Sequence, residues 1–115
     1  MVHVMDHGGQ RQVAPFDVVI WHETGRTAVY LRGELDASTA PHLAHLLDQL
    51  RHHGHQQIAL DLSQLAFLGA AGLQVFVRTH QELLATGGTL VLTRPTRMVH
   101  RILALTGLDA ALTLQ

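Results

Sequence analysis

The sequence predicts one α/β domain in which helices pack on a mixed, mostly parallel sheet of four to five strands. Two features of the chain support this fold class. Short apolar runs rich in β-branched residues alternate with longer segments of helical period, in the order ββαβαβαβ. In addition, 47% of the 115 residues are hydrophobic and only 4% are aromatic, a composition that suits a single aliphatic core.

The chain opens with a stretch that we do not expect to belong to the domain. Gly8 to Arg11 is polar and rich in glycine, which predicts a flexible N-terminal tail over residues 1–12. The domain is therefore expected to cover residues 13–115, with regular structure beginning near Val13.

Two strands follow the tail and are predicted to pair as a hairpin. Phe16, Val18 and Ile20 are apolar at alternate positions, and Ala28 to Leu31 forms a second run typical of a strand. Gly25 and Arg26 lie between the two runs and supply the turn.

The first helix is predicted to open with Pro41, whose fixed φ suits the first helical turn. Asp36, Ser38 or Thr39 can cap this helix, and Gly54 is expected to end it. Its apolar residues recur at the spacing i, i+3, i+4, i+7, which predicts one buried stripe. The stripe consists of Leu43, Leu46, Leu47 and Leu50.

The middle of the chain predicts a short strand over Gln57 to Leu62, followed by a turn around Gly69. A second helix begins at this turn and is expected to end at Gly87 and Gly88. Its predicted buried face consists of Leu73, Phe76, Val77 and Leu84.

The last third of the chain repeats this pattern. Thr89 to Thr93 predicts a strand, and Pro95 or Thr96 begins a third helix. The buried face of that helix is predicted to contain Val99, Ile102 and Leu103. Gly107 is expected to end it, and Ala111 to Gln115 can add an edge strand. Because strands and helices alternate, we expect right-handed crossovers after the hairpin.

Composition and charge exclude several classes of partner. The formal net charge of −1 and the lack of a basic run argue against nucleic acid or an anionic membrane as a partner. Without cysteine, the chain has no disulfide, thiol nucleophile or zinc–thiolate site. Residues 1–11 lack a signal-peptide pattern, and no apolar run approaches the about 20 residues that span a bilayer. We therefore expect a soluble, cytoplasmic protein.

The stretch from Asp61 to Leu73 leads from an apolar strand through a small-residue turn into a helix. Such turns often hold a nucleophile or a phosphate, because the first helical N–H groups are unpaired. Here the two hydroxyl-sized positions are Ala70 and Ala71. The chain also offers no nucleophile–base pair and no phosphate-cradling glycine loop. We predict docking without catalysis: no enzymatic activity, no catalytic residue and no cofactor.

Four short motifs occur in order along the chain. They are Gly33-Glu34-Leu35-Asp36, Asp61-Leu62-Ser63, Phe67 to Leu73, and Leu105-Thr106-Gly107-Leu108-Asp109. With the element order, they resemble the STAS domain family, and most of all the bacterial anti-sigma factor antagonists. The resemblance covers about Val13 to Leu114 and implies a STAS-like domain that binds an anti-sigma factor of the Ser/Thr kinase type. Binding would free a sigma factor and so regulate transcription.

In the resembled family the turn usually reads Asp-Ser-Ser-Gly-Leu or Asp-Ser-Ala-Gly-Leu, and the kinase phosphorylates the Ser after the Asp. That position is Ala70 here, flanked by Gly69 and Ala71, whereas Gly72 and Leu73 match. The resemblance thus implies a partner surface without a phosphorylatable serine. Its residues are Asp36, Gly69, Ala70, Ala71, Gly72 and Leu73. The domain is either a permanently binding-competent antagonist or adapted to a partner that does not phosphorylate it.

The same residues also have structural interpretations. Small residues from Gly69 to Gly72 would let the helix start pack closely on the sheet. Asp36 can act as a helix cap, and Asp61 is predicted to hydrogen-bond locally. Ser63 and Thr106 are expected in turns or caps and not as nucleophiles.

The chain contains ten histidines, which raises a metal hypothesis. Helical i, i+3 spacing can place two imidazoles on one face, as at His42 and His45. A second group consists of His52, His53 and His55. No cysteine or acidic cluster completes either group, so we predict no metal site. His42, His45 and His52 are expected on a solvated face opposite the leucine stripe.

A second functional hypothesis is a STAS structural or regulatory subunit of a signalling scaffold or a lipid-transport complex. Such a subunit would also lack the phosphoserine. The antagonist is the first hypothesis and this subunit is the alternative. A neighbouring kinase or sigma-factor gene would support the first, and transporter genes would support the second. The sequence leaves open whether the domain forms a weak homodimer.

Overall fold

The computed structural model describes residues 2–3 and 16–115, and within them six strands form one sheet with helices packed on it. The elements are β1 (Val2–His3), β2 (Phe16–Glu23), β3 (Arg26–Leu35), α1 (Ala40–His52), β4 (Gln57–Leu68), α2 (Ala70–Ala85), β5 (Thr89–Thr93), α3 (Arg97–Thr106), α4 (Leu108–Ala111) and β6 (Thr113–Leu114). The predicted α/β class is confirmed, and so is the predicted order from the hairpin onward. Element α4 is an addition to it, and so is β1, which gives the sheet six strands and not the predicted four to five.

The predicted tail over residues 1–12 lies outside the described residues except for Val2 and His3, and so does its predicted boundary at Val13. The backbones of Val2 and His3 pair with Val18 and Asp17 of β2. Part of the first dozen residues therefore belongs to the sheet.

The strands lie in the sheet in the order β1-β2-β3-β4-β5-β6. The first three pair antiparallel, and β3 to β6 pair parallel. The predicted hairpin between β2 and β3 is confirmed, with Gly25 in the left-handed region (φ 84°) at its turn. From β3 to β6, each strand lies next to the preceding one and always on the same side of it. Crossover connections of one handedness therefore place all their helices on the same face of the sheet.

Burial shows which face that is. The buried apolar residues of α1, α2 and α3 form one core with alternate residues of the strands, including Val18, Val29, Leu31, Leu60 and Leu92. The intervening residues, among them Val19, Trp21 and Tyr30, are not part of that core. We call the side of the sheet that carries these residues the open face.

Strand β4 is longer than the sequence predicts. The prediction ended it at Leu62, but it continues to Leu68. The pairing with β3 shifts by one residue twice, since Tyr30 and Arg32 pair with Asp61 and Gln64, and Gly33 and Glu34 pair with Leu65 and Phe67. These bulges break the alternation of apolar and polar residues that the prediction relied on, which explains the error.

The buried face of α2 also differs from the prediction. Leu84 is 54% exposed, and Leu73 and Val77 are only partly buried, so of the predicted residues only Phe76 lies fully in the core. The buried residues are Gly72, Val75, Phe76, Thr79 and Leu83. Two of these five are glycine and threonine, which an apolar pattern does not detect.

The other two long helices agree with their sequence signals. The predicted stripe of α1 is buried, and Pro41 lies in its first turn. The Thr96 hydroxyl accepts a hydrogen bond from the Val99 N–H (3.2 Å) and caps α3. Gly107 ends α3 in the left-handed region (φ 76°). No helix in the described ranges is long and apolar enough to cross a membrane.

Asp61 stabilises the first bulge of β4. Its Oδ1 accepts hydrogen bonds from the Ser63 N–H (2.9 Å) and hydroxyl (2.6 Å), and its Oδ2 accepts one from Arg94 Nε (2.8 Å). Burial by itself raises the pKa of Asp61, but the hydrogen bonds from Ser63 and Arg94 together outweigh it, so the pKa lies below its ordinary value of 3.8. The predicted local role of Asp61 is confirmed, although its position is within the strand and not at its end.

Asp61→Asn should therefore lower the free energy of unfolding at neutral pH, by about 1 kcal/mol, because it removes the ion pair while Arg94 remains largely solvated. A lowered pKa in the folded chain means that the ionised carboxylate stabilises the fold above pH 3.8 and that this contribution disappears as the pH falls through the folded-state pKa. Urea denaturation across that range should show the gap between variant and native chain narrowing in acid.

The matched control is Asp109→Asn, at an exposed carboxylate in the short helix α4. It should change stability much less at every pH. A gap for Asp61→Asn that stays constant from neutral to acid pH would contradict the stated role of the charge.

Candidate docking site

The residues singled out by sequence lie on two loops that the sheet brings together. Leu35 ends β3 and pairs with Leu68, which ends β4. The Gly69 N–H donates a hydrogen bond to the Leu35 carbonyl oxygen (2.9 Å), which continues the pairing one step further. Asp36 and Gly69 therefore start their loops side by side at the carboxyl edge of the parallel strands. We call Asp36 and Gly69–Leu73 together the motif surface.

The backbone N–H groups in the first turn of α2 are not capped by any side chain. Gly69 is its N-cap in an extended conformation (φ −98°, ψ −179°), and no side chain accepts a hydrogen bond from the helix start. The first turn contains no acidic residue. Ala70 is exposed and Ala71 half-buried, so short methyl groups border the positive end of the helix dipole.

Gly72 explains how this turn lies so close to the sheet. A Cβ atom on Gly72 would lie 2.7 Å from Cγ and Cδ2 of Leu35 and 2.8 Å from Cδ1 of Leu68. No real side chain tolerates such distances without movement of its neighbours. The missing Cβ therefore lets the helix begin directly against the paired ends of β3 and β4.

Gly69 is not required by the backbone in the same way. Its φ is ordinary for any residue, and an added Cβ would meet Cε2 of Phe67 at 3.1 Å. The Phe67 ring is 46% exposed and can move outward. The aspartate of the resembled family would therefore fit this position, so its absence is a chemical difference and not a consequence of the fold.

Asp36 organises the neighbouring loop. Its carboxylate Oδ1 accepts hydrogen bonds from the Ser38 N–H (2.9 Å), the Ser38 hydroxyl (2.7 Å) and the Thr39 N–H (3.1 Å). The Ser38 hydroxyl contributes most to a pKa of Asp36 below its ordinary value. Thr39 is the N-cap residue of α1, and its hydroxyl donates to the Glu34 carbonyl oxygen (2.8 Å). Of the three predicted cap residues, Thr39 occupies the N-cap position, although no side chain accepts a hydrogen bond from the helix start. Asp36 orders the loop before α1 and does not cap the helix itself.

A groove of about 630 Å³ between α1 and α2 begins at the motif surface. Ala37, Ala44 and Ala71 line its walls, and Asp48, Gln74 and Arg78 supply polar groups. These polar residues are not among the site residues predicted from the sequence. Ala71, Gln74 and Arg78 recur at i, i+3 and i+7, so the helical period could have placed the last two on the same face as the motif.

The histidines near the end of α1 have local structural contacts. Nδ1 of His52 donates to the Asp48 carbonyl oxygen (2.6 Å) and Nδ1 of His53 to the Gln49 carbonyl oxygen (2.7 Å), which satisfies two terminal carbonyls of the helix. His55 hydrogen-bonds with Thr27 (2.8 Å) through its own Nδ1. Within residues 2–3 and 16–115, no three histidine or acidic side chains converge as metal ligands would.

The remaining motif hydroxyls also have structural partners. The Ser63 hydroxyl donates to Asp61, as described above, and the Thr106 hydroxyl donates to the Ile102 carbonyl oxygen (2.8 Å). The Thr106 hydroxyl contacts only carbonyl oxygens of its own helix, and the carboxylate that accepts from Ser63 is also bonded to Arg94, whose contribution to the lowered pKa of Asp61 makes that carboxylate a weak base. The motif surface therefore offers shape, exposed backbone and a helix dipole, which suit binding.

Comparison with known proteins identifies the family to which this chain belongs. The sequence profile of the STAS domain matches residues 18–115, which is most of the chain and includes all of the motif surface. The chain belongs to the STAS domain family. The resemblance seen in the motifs is thereby confirmed.

Related STAS proteins are anti-sigma factor antagonists. The chain is 28% identical over 87 residues to the anti-sigma-B factor antagonist of Listeria monocytogenes, covering 76% of each chain. It is 30% identical over 80 residues to that of Staphylococcus aureus, covering 70% of this chain and 74% of the relative. A crystal structure of an anti-sigma factor antagonist from Mycobacterium paratuberculosis superposes with a TM-score of 0.79 at 26% identity, covering 86% and 84% of the two chains.

A further STAS structure shares the fold at lower identity. The phosphorylated form of the Bacillus cell-fate determinant SpoIIAA superposes with a TM-score of 0.68 at 19% identity, covering 87% of this chain and 90% of the other. This match supports the element order and the sheet topology.

The packing at Gly72 generates a stability prediction. Gly72→Ala should lower the free energy of unfolding by about 1–2 kcal/mol, since overpacking against Leu35 and Leu68 outweighs the roughly 1 kcal/mol gain in helix propensity. Urea denaturation of the two chains provides the measurement.

A double variant separates overpacking from other effects. Leu35→Val shortens the side chain that the new methyl group would meet, so Gly72→Ala/Leu35→Val should be more stable than the sum of the two single changes implies. Strict additivity, or a Gly72→Ala chain as stable as the native one, would show that the close approach is not what selects glycine.

Proposed function

We propose that this STAS domain is a non-enzymatic anti-sigma factor antagonist whose motif surface binds an anti-sigma factor of the Ser/Thr kinase type in the cytoplasm. Binding of that partner would release a sigma factor and so regulate transcription. The observation that carries this proposal is the close packing at Gly72, which presents the small residues of the first turn of α2 beside the ordered Asp36 loop.

The geometry of the motif surface favours a protein partner. Ala70 and Ala71 leave the backbone of the first helical turn accessible, so a partner can approach it closely. The uncapped N–H groups and the helix dipole favour an acceptor or an anionic group on the partner. The groove toward α1 adds Arg78 as a cation at the border of the same surface. These features offer recognition without a reacting group.

The proposed antagonist lacks the phosphorylation switch of its relatives. Ala70 occupies the position of the family's phosphorylated serine, and it has no oxygen that could receive a phosphoryl group. A phosphate there would add about −1.5 to −2 charges to the centre of the interface, and its desolvation would disfavour docking. Because this step is missing, the domain would remain competent for binding whatever the activity of the kinase.

A charge at position 70 tests the docking role. Ala70→Asp should weaken binding to the cognate anti-sigma factor about tenfold or more, because docking would desolvate the new carboxylate. Asp is favourable in the first turn of a helix, so the variant should stay folded. Isothermal titration calorimetry with each kinase-type anti-sigma factor of the source genome gives the affinity.

The control is Ala85→Asp, which places the same charge on an exposed residue at the far end of α2. It should leave the affinity within about twofold, although it is less favourable for the helix dipole. Equal affinities for the native chain and Ala70→Asp would remove Ala70 from the interface. Failure of the native chain to bind any of these anti-sigma factors would favour a STAS subunit of a scaffold or lipid-transport complex.

Incubation with the cognate kinase and ATP should leave the mass of the native chain unchanged. The double variant Gly69→Asp/Ala70→Ser restores the family's acidic residue and hydroxyl, and it should gain one phosphate, faster than Ala70→Ser alone. Gly69→Asp is the matched control and should gain none. Intact-mass detection of phosphate on the native chain between Ser63 and Thr79 would contradict the loss of the switch.

A further inference from the structure

The open face of the sheet carries an apolar band that no described helix covers. Paired residues of neighbouring strands share a face, so the band crosses the sheet in two adjacent rows. Its residues are Val19, Tyr30, Trp21, Ala28, Ala59 and Val91. None of them belongs to the cluster that packs beneath the helices, but Ala28 and Ala59 are themselves buried. The accessible part of the band therefore consists of Val19 and Trp21 with the half-buried Tyr30 and Val91.

The exposure in this band is unusual for such residue types. Trp21, the only tryptophan of the chain, is 61% exposed, and Val19 is 38% exposed. A shallow depression of about 520 Å³ lies between Val19, Trp21 and Tyr30. Tyr30 is half-buried and Arg32 is exposed. Tryptophan, tyrosine and arginine are the residue types most enriched at the energetic centres of protein interfaces.

Polar rows border the band on both sides and carry balanced charge. On one side lie Asp17 and Arg32, which occupy opposite positions in the backbone register of β2 and β3. On the other side Arg26 forms an ion pair with Glu23 (3.0 Å). The band is also bordered by the ion pair between Arg94 and Asp61 (2.8 Å). These three acidic and three basic groups sum to no net charge.

This balance indicates what kind of partner fits the face. A partner with a strongly acidic or basic surface would gain little electrostatic attraction from this border, because positive and negative groups are equally present in it. A border with both signs is, however, complementary to itself. A two-fold axis that runs along the strands between β2 and β3 would bring Glu23 of one copy to Arg26 of the other, and the apolar bands would face each other.

We propose that the open face is a self-association surface through which two copies of this domain pack sheet against sheet. Val19, Trp21 and Tyr30 form the centre of the interface, and the Asp17–Arg32 and Glu23–Arg26 rows form its border. The two sheets lie about 10 Å apart with interdigitated side chains, as in a β-sandwich. The motif surface lies at the strand ends, so this interface leaves it free.

The size of the face is that of a small, transient contact. Four strands about 4.8 Å apart and about six residues of 3.4 Å each give a flat area of about 400 Å² per copy. Two copies bury about 800 Å², below the 1,200–2,000 Å² of stable complexes. The dimer is therefore weak, with a dissociation constant of about 10 µM to 1 mM.

Sedimentation velocity of the full chain across that concentration range tests the proposal without any anti-sigma factor, so its outcome is independent of the proposed function. The native chain should sediment as a monomer at the low end and shift toward a dimer at the high end. Fluorescence of Trp21 should shift to shorter wavelength over the same range, since dimerisation removes its ring from water.

Val19→Lys and Trp21→Lys should each raise the dissociation constant about tenfold or more, because each buries an unpaired charge at the centre of the interface. Leu84→Lys is the matched control: it adds the same charge at an exposed apolar residue of α2, on the other side of the sheet, and should leave self-association unchanged. Far-ultraviolet circular dichroism establishes that each variant is folded.

Three outcomes would overturn the proposal. The first is a native chain that stays monomeric at about 1 mM, above the range that the buried area allows. The second is a dimer that persists in both band variants, which would place the contact elsewhere. The third is a native chain that is monomeric and binds another protein, when Val19→Lys abolishes that binding and Leu84→Lys does not. This result would assign the open face to a different partner.

Discussion

The candidate site depends on the close packing of Gly72 against Leu35 and Leu68, which only a residue without a Cβ atom allows. Because Leu35 and Leu68 occupy the space that a side chain would need, α2 begins directly on the ends of β3 and β4. The Gly69 N–H then reaches the Leu35 carbonyl oxygen, and the Asp36 loop lies beside the first helical turn. One missing methyl group thus determines how the backbone of α2 is presented to a partner.

The two loops of the site differ in how much chemistry they retain. The Asp36 loop is held by a carboxylate that bonds to Ser38 and Thr39, so its geometry is fixed by side chains. The turn before α2 carries neither an acid nor a hydroxyl at positions 69–71, and its backbone needs neither, since Gly69 adopts an ordinary extended conformation. The shape of this turn therefore does not depend on side-chain oxygens at these positions.

Much of the fold could be predicted because local signals determine where elements begin and end. Thr96 caps α3 and Gly107 ends it through interactions within a few residues, and the four leucines of α1 show the helical period directly. The length of β4 and the buried face of α2 could not be predicted in this way. The length of β4 depends on bulges, the first of which Asp61 stabilises together with Arg94 from the distant loop after β5. The buried face of α2 includes Gly72 and Thr79, whose burial reflects packing and not hydrophobicity. The groove beside Arg78 could not be predicted either, because it forms only where α1 and α2 pack together.

The edge strands have a consequence for behaviour at high concentration. Both β1 and β6 contain only two residues each. Within the described residues β1 pairs with only Asp17 and Val18, so the outer edge of β2 from Val19 to Glu23 has no strand beside it. Long free edges are the usual templates for strand-by-strand polymerisation and amyloid growth. Pairing of backbones between crowded copies should therefore begin at this short stretch, which contains the exposed Trp21.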